Sequence, residues 1–356
     1  MPGPVLAMHM SNELLSPSVA IATCVLAGAA VLVALRAGRN MQAAALPLMG
    51  VLGAFVFAAQ MINFPVPFLP VSGHLIGTAL LALLLGPWAA IITITAILIV
   101  QCMLFGDGGV LALGCNILNM AVVPSLLSEG VYRALGLRAR VTHRHTDNPT
   151  EAAHEHVAMP SPARLYAAVY LAAMAGVLAA AVLVPLEVAL SGVLRVKPTA
   201  FLGVMLAVHV PIAFMEGLIT FAIVTFLRRV RPQVLGLPVA GGVSSRRART
   251  AVLAGSILLT ALLLGGVVSN FASSLRDGME YSVEQHGYGQ TVGAVENPSP
   301  AVAAAEHAQA QLVPLADSES AGGWLSLAGL AGTLVALGVI YFLSRLLRRR
   351  GPAHSH

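Results

Sequence analysis

Long apolar runs, separated by short polar islands, set the pattern of this chain. Nine runs stand out: Val19–Leu35, Ala43–Ile62, His74–Leu85, Trp88–Phe105, Val110–Tyr132, Leu165–Leu190, Phe201–Leu227, Ala251–Asn270 and Trp324–Leu343. They are continuous rather than alternating, which predicts helices and not barrel strands. Most reach the about 20 residues that a crossing needs. The third is too short to cross alone. Gly86-Pro87 breaks the chain behind it, so it is either tilted with help from its flanks or a re-entrant partner of the fourth. The expected fold is an all-α integral membrane protein, a polytopic bundle of about nine membrane segments.

Composition agrees. Of 356 residues, 57% are hydrophobic and 10% charged, against about 25% charged in a soluble domain. Cys24, Cys102 and Cys115 lie in apolar runs at no metal-ligand spacing and read as small buried hydrophobes. The formal charge of +5 invites a nucleic-acid reading, but its distribution argues against one. With the amino terminus outside, 17 of the 20 Lys and Arg fall on the cytoplasmic side, leaving Arg195, Lys197 and Arg276 outside. The positive-inside rule therefore predicts an outer amino terminus and a cytoplasmic carboxyl terminus, and the expected location is the bacterial inner (plasma) membrane, crossed several times.

That orientation puts Met8-His9-Met10 and the island Asn63–His74 on one face. A histidine at the lip of a span is costly to bury unless something binds it, and neutral imidazole is a common transition-metal ligand. A helix cap or an interfacial side chain is the plainer reading.

Several blocks occur in order: Met8-His9-Met10, Leu15-Ser16-Pro17, Ser72-Gly73-His74-Leu75, Leu85-Gly86-Pro87-Trp88, Gln101–Gly109, Leu113–Met120 and His209–Gly217. Together they resemble CbiM and NikM, the substrate-capture components of energy-coupling factor (ECF) importers for cobalt and nickel. The resemblance covers residues 8–230. Residues 231–250 form a basic, Gly-containing cytoplasmic linker. Residues 251–344, two runs around an outer loop, resemble the small accessory subunit CbiN or NikN. There Asp277-Gly278-Met279-Glu280 stands for the Pro-Asp-Gly-Leu-Glu motif, with Arg276 and Met279 as departures. The loop from Asn297 to Ser320 is rich in Ala, Pro, Ser and Gln and is expected to be mobile.

The resemblance implies a transporter subunit rather than an enzyme. Its transported substrate is Ni2+ or Co2+, and it has no cofactor of its own. Its partners would be a transmembrane scaffold like CbiQ or NikQ, ATPase subunits like CbiO or NikO, and the lipid bilayer, with no nucleic acid. The chain lacks the Gly-x-x-x-x-Gly-Lys-Ser/Thr loop that ATP hydrolysis would require. A membrane metal sensor or metallochaperone that does not transport is the alternative, and vitamin capture a third.

The resemblance also implies a metal held by the amine of Met8, the amide nitrogen and Nδ1 of His9, and His74. Fused five- and six-membered chelate rings plus a fourth imidazole make a square that suits Ni(II) or Cu(II) better than Zn(II) or Mg(II). Seven residues precede Met8 here, so a primary amine at this position implies a chain that starts at Met8.

Other polar residues in or near the spans are Asp107, Gln101, Asn116, Asn119, His209 and Glu216. Asn116 and Asn119, three apart on one helical face, either orient the histidines or bond between helices. For His209 and Glu216, packing or a coupling role is expected. His143, His145, His154 and His156 lie in a cytoplasmic loop with acidic residues, and His354 and His356 close the chain. They read as a solvated segment, with a weak metal buffer as the sharper alternative.

Overall fold

The computed structural model describes residues 9–38, 45–137, 161–193, 197–230, 246–285, 299–313 and 324–347. Met8, the four loop histidines, His354, His356 and most of the 231–250 linker lie outside these residues.

The helices follow the apolar runs: α1 (Pro17–Gly38), α2 (Ala45–Gln60), α3 (Thr78–Leu85), α4 (Pro87–Val100), α5 (Leu113–Asn116) and α6 (Val123–Ala134). Then come α7 (Pro162–Ser191), α8 (Pro198–Val230), α9 (Arg246–Gly266), α10 (Gly278–Gln285), α11 (Pro300–Leu312) and α12 (Trp324–Leu347). Local chemistry sets several ends. Pro162 opens α7 behind Ser161, whose hydroxyl accepts the Arg164 N–H at 3.3 Å, a side-chain cap followed by the proline position that needs no donor. Gly86, at φ 86°, ends α3, and Pro87 starts α4.

Among the described residues, five helices are long and apolar enough to cross a membrane: Pro17–Gly38, Pro87–Phe105, Pro162–Ser191, Pro198–Arg229 and Leu327–Arg345. Pro47–Gln60 and Ala254–Gly266 are apolar but shorter. Helix occurs at all nine expected runs, but nine full crossings are not what the structure displays. The largest departure is the third run. His74 is not helical; α3 begins only at Thr78 and is 8 residues long, or about 12 Å. It is a buried half-span. Thr78 Oγ1 donates to the Met120 carbonyl at 2.6 Å, and Tyr132 Oη to that of Ala79 at 2.7 Å.

Two helices loosen near the same end of the bundle. α4 runs into a π-helical turn at Gln101–Phe105, and α5 is joined to α6 by another at Ile117–Val122. Such turns cost regular hydrogen bonding and are frequent at functional sites.

α7 packs along α8, and α6 along α7. α2 lies against both α9 and α12, so the carboxyl-terminal pair is built into the bundle. α9 and α12 cross where Gly265 and Gly329 touch backbone to backbone, and a Cβ on Gly265 would come within 3.0 Å of the Gly329 carbonyl.

The segment from Asn297 to Ser320 departs from expectation as well: it contains α11, a helix of 13 residues. Ser299 caps it, its hydroxyl accepting the Val302 N–H at 3.4 Å, and Pro300 fills the first turn.

Gly329→Val tests the α9–α12 crossing. The added methyls have no room, so the variant should lose about 1–3 kcal/mol, read as a lower melting temperature of the purified protein by intrinsic fluorescence.

Candidate metal centre

The chain between α2 and α3 makes a small antiparallel hairpin, β1 (Phe64–Pro65) against β2 (Ser72–Gly73). Residues ahead of α10 extend it. Ser72 N–H donates to the Arg276 carbonyl at 2.7 Å, Ser72 Oγ to that of Leu275 at 2.7 Å, and Ser273 N–H to that of Asn63 at 2.8 Å. A strand-like stretch from far along the chain thus holds the loop that presents His74.

On the other side of His74, the carboxylate of Glu216 in α8 accepts from the N–H groups of Ile76 and Gly77, both at 2.9 Å. Gln60 Nε2 donates to the Ile76 carbonyl at 2.8 Å. These groups replace the hydrogen bonds that an unwound backbone lacks at this depth.

The amino-terminal hook lies opposite. Met10 N–H donates to Asn116 Oδ1 at 3.1 Å, while Asn116 Nδ2 donates to the Met10 carbonyl at 3.2 Å. The Gly109 N–H reaches the same carbonyl at 3.0 Å. Gly108 sits at φ 83°, and a Cβ there would come within 2.9 Å of both His9 Cβ and Asn116 Nδ2. Only glycine lets the hook lie this close.

His9 and His74 face each other, ring centroids 5.5 Å apart at 66°. His9 is buried, and its Nδ1 lies 2.8 Å from Asp107 Oδ2. That contact is off the line a hydrogen bond needs. Both ring nitrogens of His9 and both carboxylate oxygens of Asp107 are buried with no hydrogen-bond partner among the described residues. Buried polar atoms are nearly always paired, so two orphaned side chains in contact make this spot a candidate site. His74 Nδ1 lies 3.3 Å from the Leu75 carbonyl, which places the Nδ1 proton there and leaves Nε2 with its lone pair.

A cavity of about 80 Å³ opens between these groups, lined by His9, His74, Asn116, Asn119, His209 and Asp277 among others. Asn119 points at it from the same helix face as Asn116 but does a different job, donating to Glu187 Oε2 at 2.8 Å. His209 Nδ1 lies 2.8 Å from the Met205 carbonyl, so its ring is turned with Cε1 towards α10. Asp277 and Glu280 form a reciprocal cap on α10: the Glu280 N–H donates to Asp277 Oδ1 at 2.7 Å, and the Asp277 N–H to Glu280 Oε2 at 3.3 Å. This is the physical content of the Asp-Gly-x-Glu spacing. Burial, and then the Glu280 carboxylate, hold the Asp277 carboxyl well above the usual carboxylate range.

Among the described residues, no three His, Cys, Asp or Glu side chains converge as a ready metal site. Two imidazoles lie beside one carboxylate. Asp107 was legible as a polar residue at the Gly-rich turn, but nothing in sequence tied it to His9. Asp277 carried only its motif.

Residues 9–234 match the family model described as the CbiM cobalt uptake substrate-specific transmembrane region. The chain belongs to the CbiM family. Residues 251–349 match the PDGLE domain. A putative fused nickel transport protein NikMN of Archaeoglobus fulgidus is 29% identical over 301 residues, covering 85% of this chain and 86% of that protein. A cobalt transport protein CbiM of Geobacter sulfurreducens is 27% identical, covering 99% of this chain and 94% of its own. A putative fused cobalt transport protein CbiMQ of Methanocorpusculum labreanum is 31% identical over 215 residues, covering 59% of this chain but 32% of that longer one. The chain is therefore a membrane component of cobalt or nickel transport, a CbiM region fused to a PDGLE domain.

Glu216→Gln tests the clamp on the His74 loop. An amide has one acceptor oxygen where the carboxylate has two, so one of the two N–H groups loses its partner. Hydrogen exchange at Ile76 and Gly77 should accelerate, corresponding to a local loss of about 1–3 kcal/mol. Unchanged exchange at both amides would remove Glu216 from the loop's support.

Proposed function

We propose that this chain is the substrate-binding membrane subunit of an ECF-type importer, capturing Ni2+ or Co2+ at the outer mouth of its bundle. The carrying observation is the cluster of unpartnered polar atoms at His9 and Asp107 beside His74. His9 supplies Nδ1 and its own amide nitrogen, Met8 a primary amine, and His74 the fourth nitrogen. A free amine at Met8 is part of the reading, because the fused chelate rings need it.

Charge supports the same donor set. A divalent ion bound by an amine, two imidazoles and one deprotonated amide keeps one positive charge. An isolated charge is expensive in a buried site, and the Asp107 carboxylate neutralises it from beside His9. Four nitrogens in a square favour Ni(II) and low-spin Co(II) over Zn(II), which prefers a tetrahedron. Asp107 Oδ2 lies 2.8 Å from His9 Nδ1 without a hydrogen bond to it, so an entering ion can take that nitrogen while Asp107 serves as counter-charge.

ATP hydrolysis is assigned to separate CbiO- or NikO-like subunits, coupled through a CbiQ- or NikQ-like scaffold. A relative's printed name joins CbiM with CbiQ in one fused protein, which supports such a partner. The amino terminus is outside and the carboxyl terminus cytoplasmic, on the distribution of Lys and Arg.

His74→Ala should abolish tight Ni2+ binding while leaving the melting temperature of the metal-free protein within a few degrees, because His74 lies in a loop rather than in helix packing. Calorimetric titration of the purified full chain with Ni2+ and Co2+ checks it, and unchanged affinity in the variant rejects the site.

Ser273→Cys should label with a membrane-impermeant thiol reagent in intact cells, and Thr146→Cys only after lysis, in a background with Cys24, Cys102 and Cys115 replaced by Ala. Labelling of Thr146→Cys from outside reverses the orientation.

A further inference from the structure

α11 belongs to the carboxyl-terminal domain, yet one of its side chains ends inside the amino-terminal hook. Most of this helix is exposed, with Ala301, Ala303, Ala304, Ala308 and Ala310 open to solvent. Val302 and Gln309, seven apart on one face, are buried. Val302 is an ordinary packing residue. A buried glutamine needs a stronger reason, because its amide must find partners or cost stability.

Gln309 finds them on both sides of a seam. Its Oε1 accepts from Asn12 Nδ2 at 3.2 Å and from the Val110 N–H at 3.1 Å. Its Nε2 donates to the Gly108 carbonyl at 2.8 Å, with the Cys102 carbonyl at 3.4 Å. Two lone pairs and two N–H groups are a side-chain amide's whole capacity, and all four are engaged.

The groups it holds are the supports of His9. Asn12 Oδ1 accepts the Leu111 N–H at 2.8 Å, and the Gly109 N–H donates to the Met10 carbonyl at 3.0 Å. Asp107 sits in the same turn, 2.8 Å from His9. One amide thus ties the hook, the Gly-rich turn and the start of the π-turn after α4 into a single piece. An ionised glutamate could not replace it, since a carboxylate has no proton for the Gly108 carbonyl, and a protonated one has a single donor where the amide has two.

We propose that Gln309 is a positioning residue of the metal centre: it locks the hook against the Gly106–Val110 turn and thereby sets how long a captured Ni2+ or Co2+ ion is retained. This rests on the assignment of His9 and His74 as ligands. It gives the fused domain a second hold on the site, independent of the strand-like stretch beside β2.

The test uses the full-length chain with Gln309→Ala, Gln309→Glu and, from the hook side, Asn12→Ala. In the metal-free protein, hydrogen exchange at Gly109, Val110 and Leu111 should accelerate roughly tenfold or more in each variant. Exchange at Ile76 and Gly77, which Glu216 holds, should stay as in the parent. With Ni2+ preloaded and excess chelator added, release should quicken roughly tenfold, while the absorption spectrum of the bound ion is unchanged because its ligands are. The pair Asn12→Ala with Gln309→Ala should quicken release by less than the product of the two single effects, because the Asn12–Gln309 bond is lost in each.

Exchange at 109–111 within twofold of the parent overturns the lock. Faster exchange with unchanged Ni2+ release overturns the role in retention. A parent chain that takes up no Ni2+ defeats the ligand assignment, and the exchange arm then still decides whether Gln309 holds the hook. Asn12→Ala leaves α11 intact and carries both readouts if the Gln309 variants do not fold.

Discussion

The structure turns on one constraint. Between Val71 and Gly77 the chain runs outside helix while largely buried in the bundle. Every amide there must be satisfied by protein, since an unpaired peptide group in such surroundings costs several kcal/mol. The solution is assembled from four distant pieces. β1 pairs with β2, the Arg276 carbonyl takes the Ser72 N–H, Glu216 takes two amides, and Gln60 donates to the Ile76 carbonyl. Remove the unwound loop and none of these polar groups has a reason to be buried. Keep it, and they must be where they are.

The same constraint explains why a fused domain is woven into the site. A two-stranded hairpin of this size is barely stable alone, and residues 275–277 give β2 a neighbour on its free side. The reciprocal cap between Asp277 and Glu280 then starts α10 at the point where the chain must turn from that edge onto α8. Its Gly278 is pressed between Val208 and His209, where a Cβ would lie within 2.9 Å of both. The Asp-Gly-x-Glu spacing therefore does three local things at once: it ends a strand, opens a helix and lets that helix touch α8.

What sequence conveyed was the part governed by local physics. Uninterrupted apolar runs announced the helices, Gly86-Pro87 the break after α3, and the glycines around Asp107 a tight turn. The blocks around His9 and His74 announced the pair that the fold brings to 5.5 Å. His74 was read as the first residue of a span because nothing local separates it from the apolar run behind it. The helix starts at Thr78 because Ser72 and Gly73 are held extended by partners about 200 residues later, which no window of sequence contains. α11 was missed for a different reason. Its Ala- and Gln-rich composition resembles a linker, yet Ser299-Pro300 is a sound helix start and Val302 with Gln309 a sound buried face. The signal was present and composition outweighed it. Asn116 and Asn119 show the limit of periodicity: one helical face was correct, but one side chain clamps Met10 and the other meets Glu187.

If His9 and His74 are ligands, as proposed, capture from water demands two opposed properties of each. A ligand that must wait empty has to be kept from finding a protein partner, or binding must first break that bond. A ligand that must hold tightly has to be immobile, or its ordering entropy is lost at each binding event. The fold meets both demands by fixing backbone and leaving ring atoms free. Main-chain atoms around His9 are pinned by Asn116 and Gly109, and those beyond His74 by Glu216, while the His9 ring nitrogens stay unpartnered. Asp107 completes the arrangement as a neighbour close enough to stabilise positive charge and badly aligned for a hydrogen bond. A better-aligned carboxylate would make His9 a satisfied ion pair and a poorer ligand. In the proposed site, Asp107 stands where it can neutralise a bound cation, while the pinned backbone holds His9 and His74 in place.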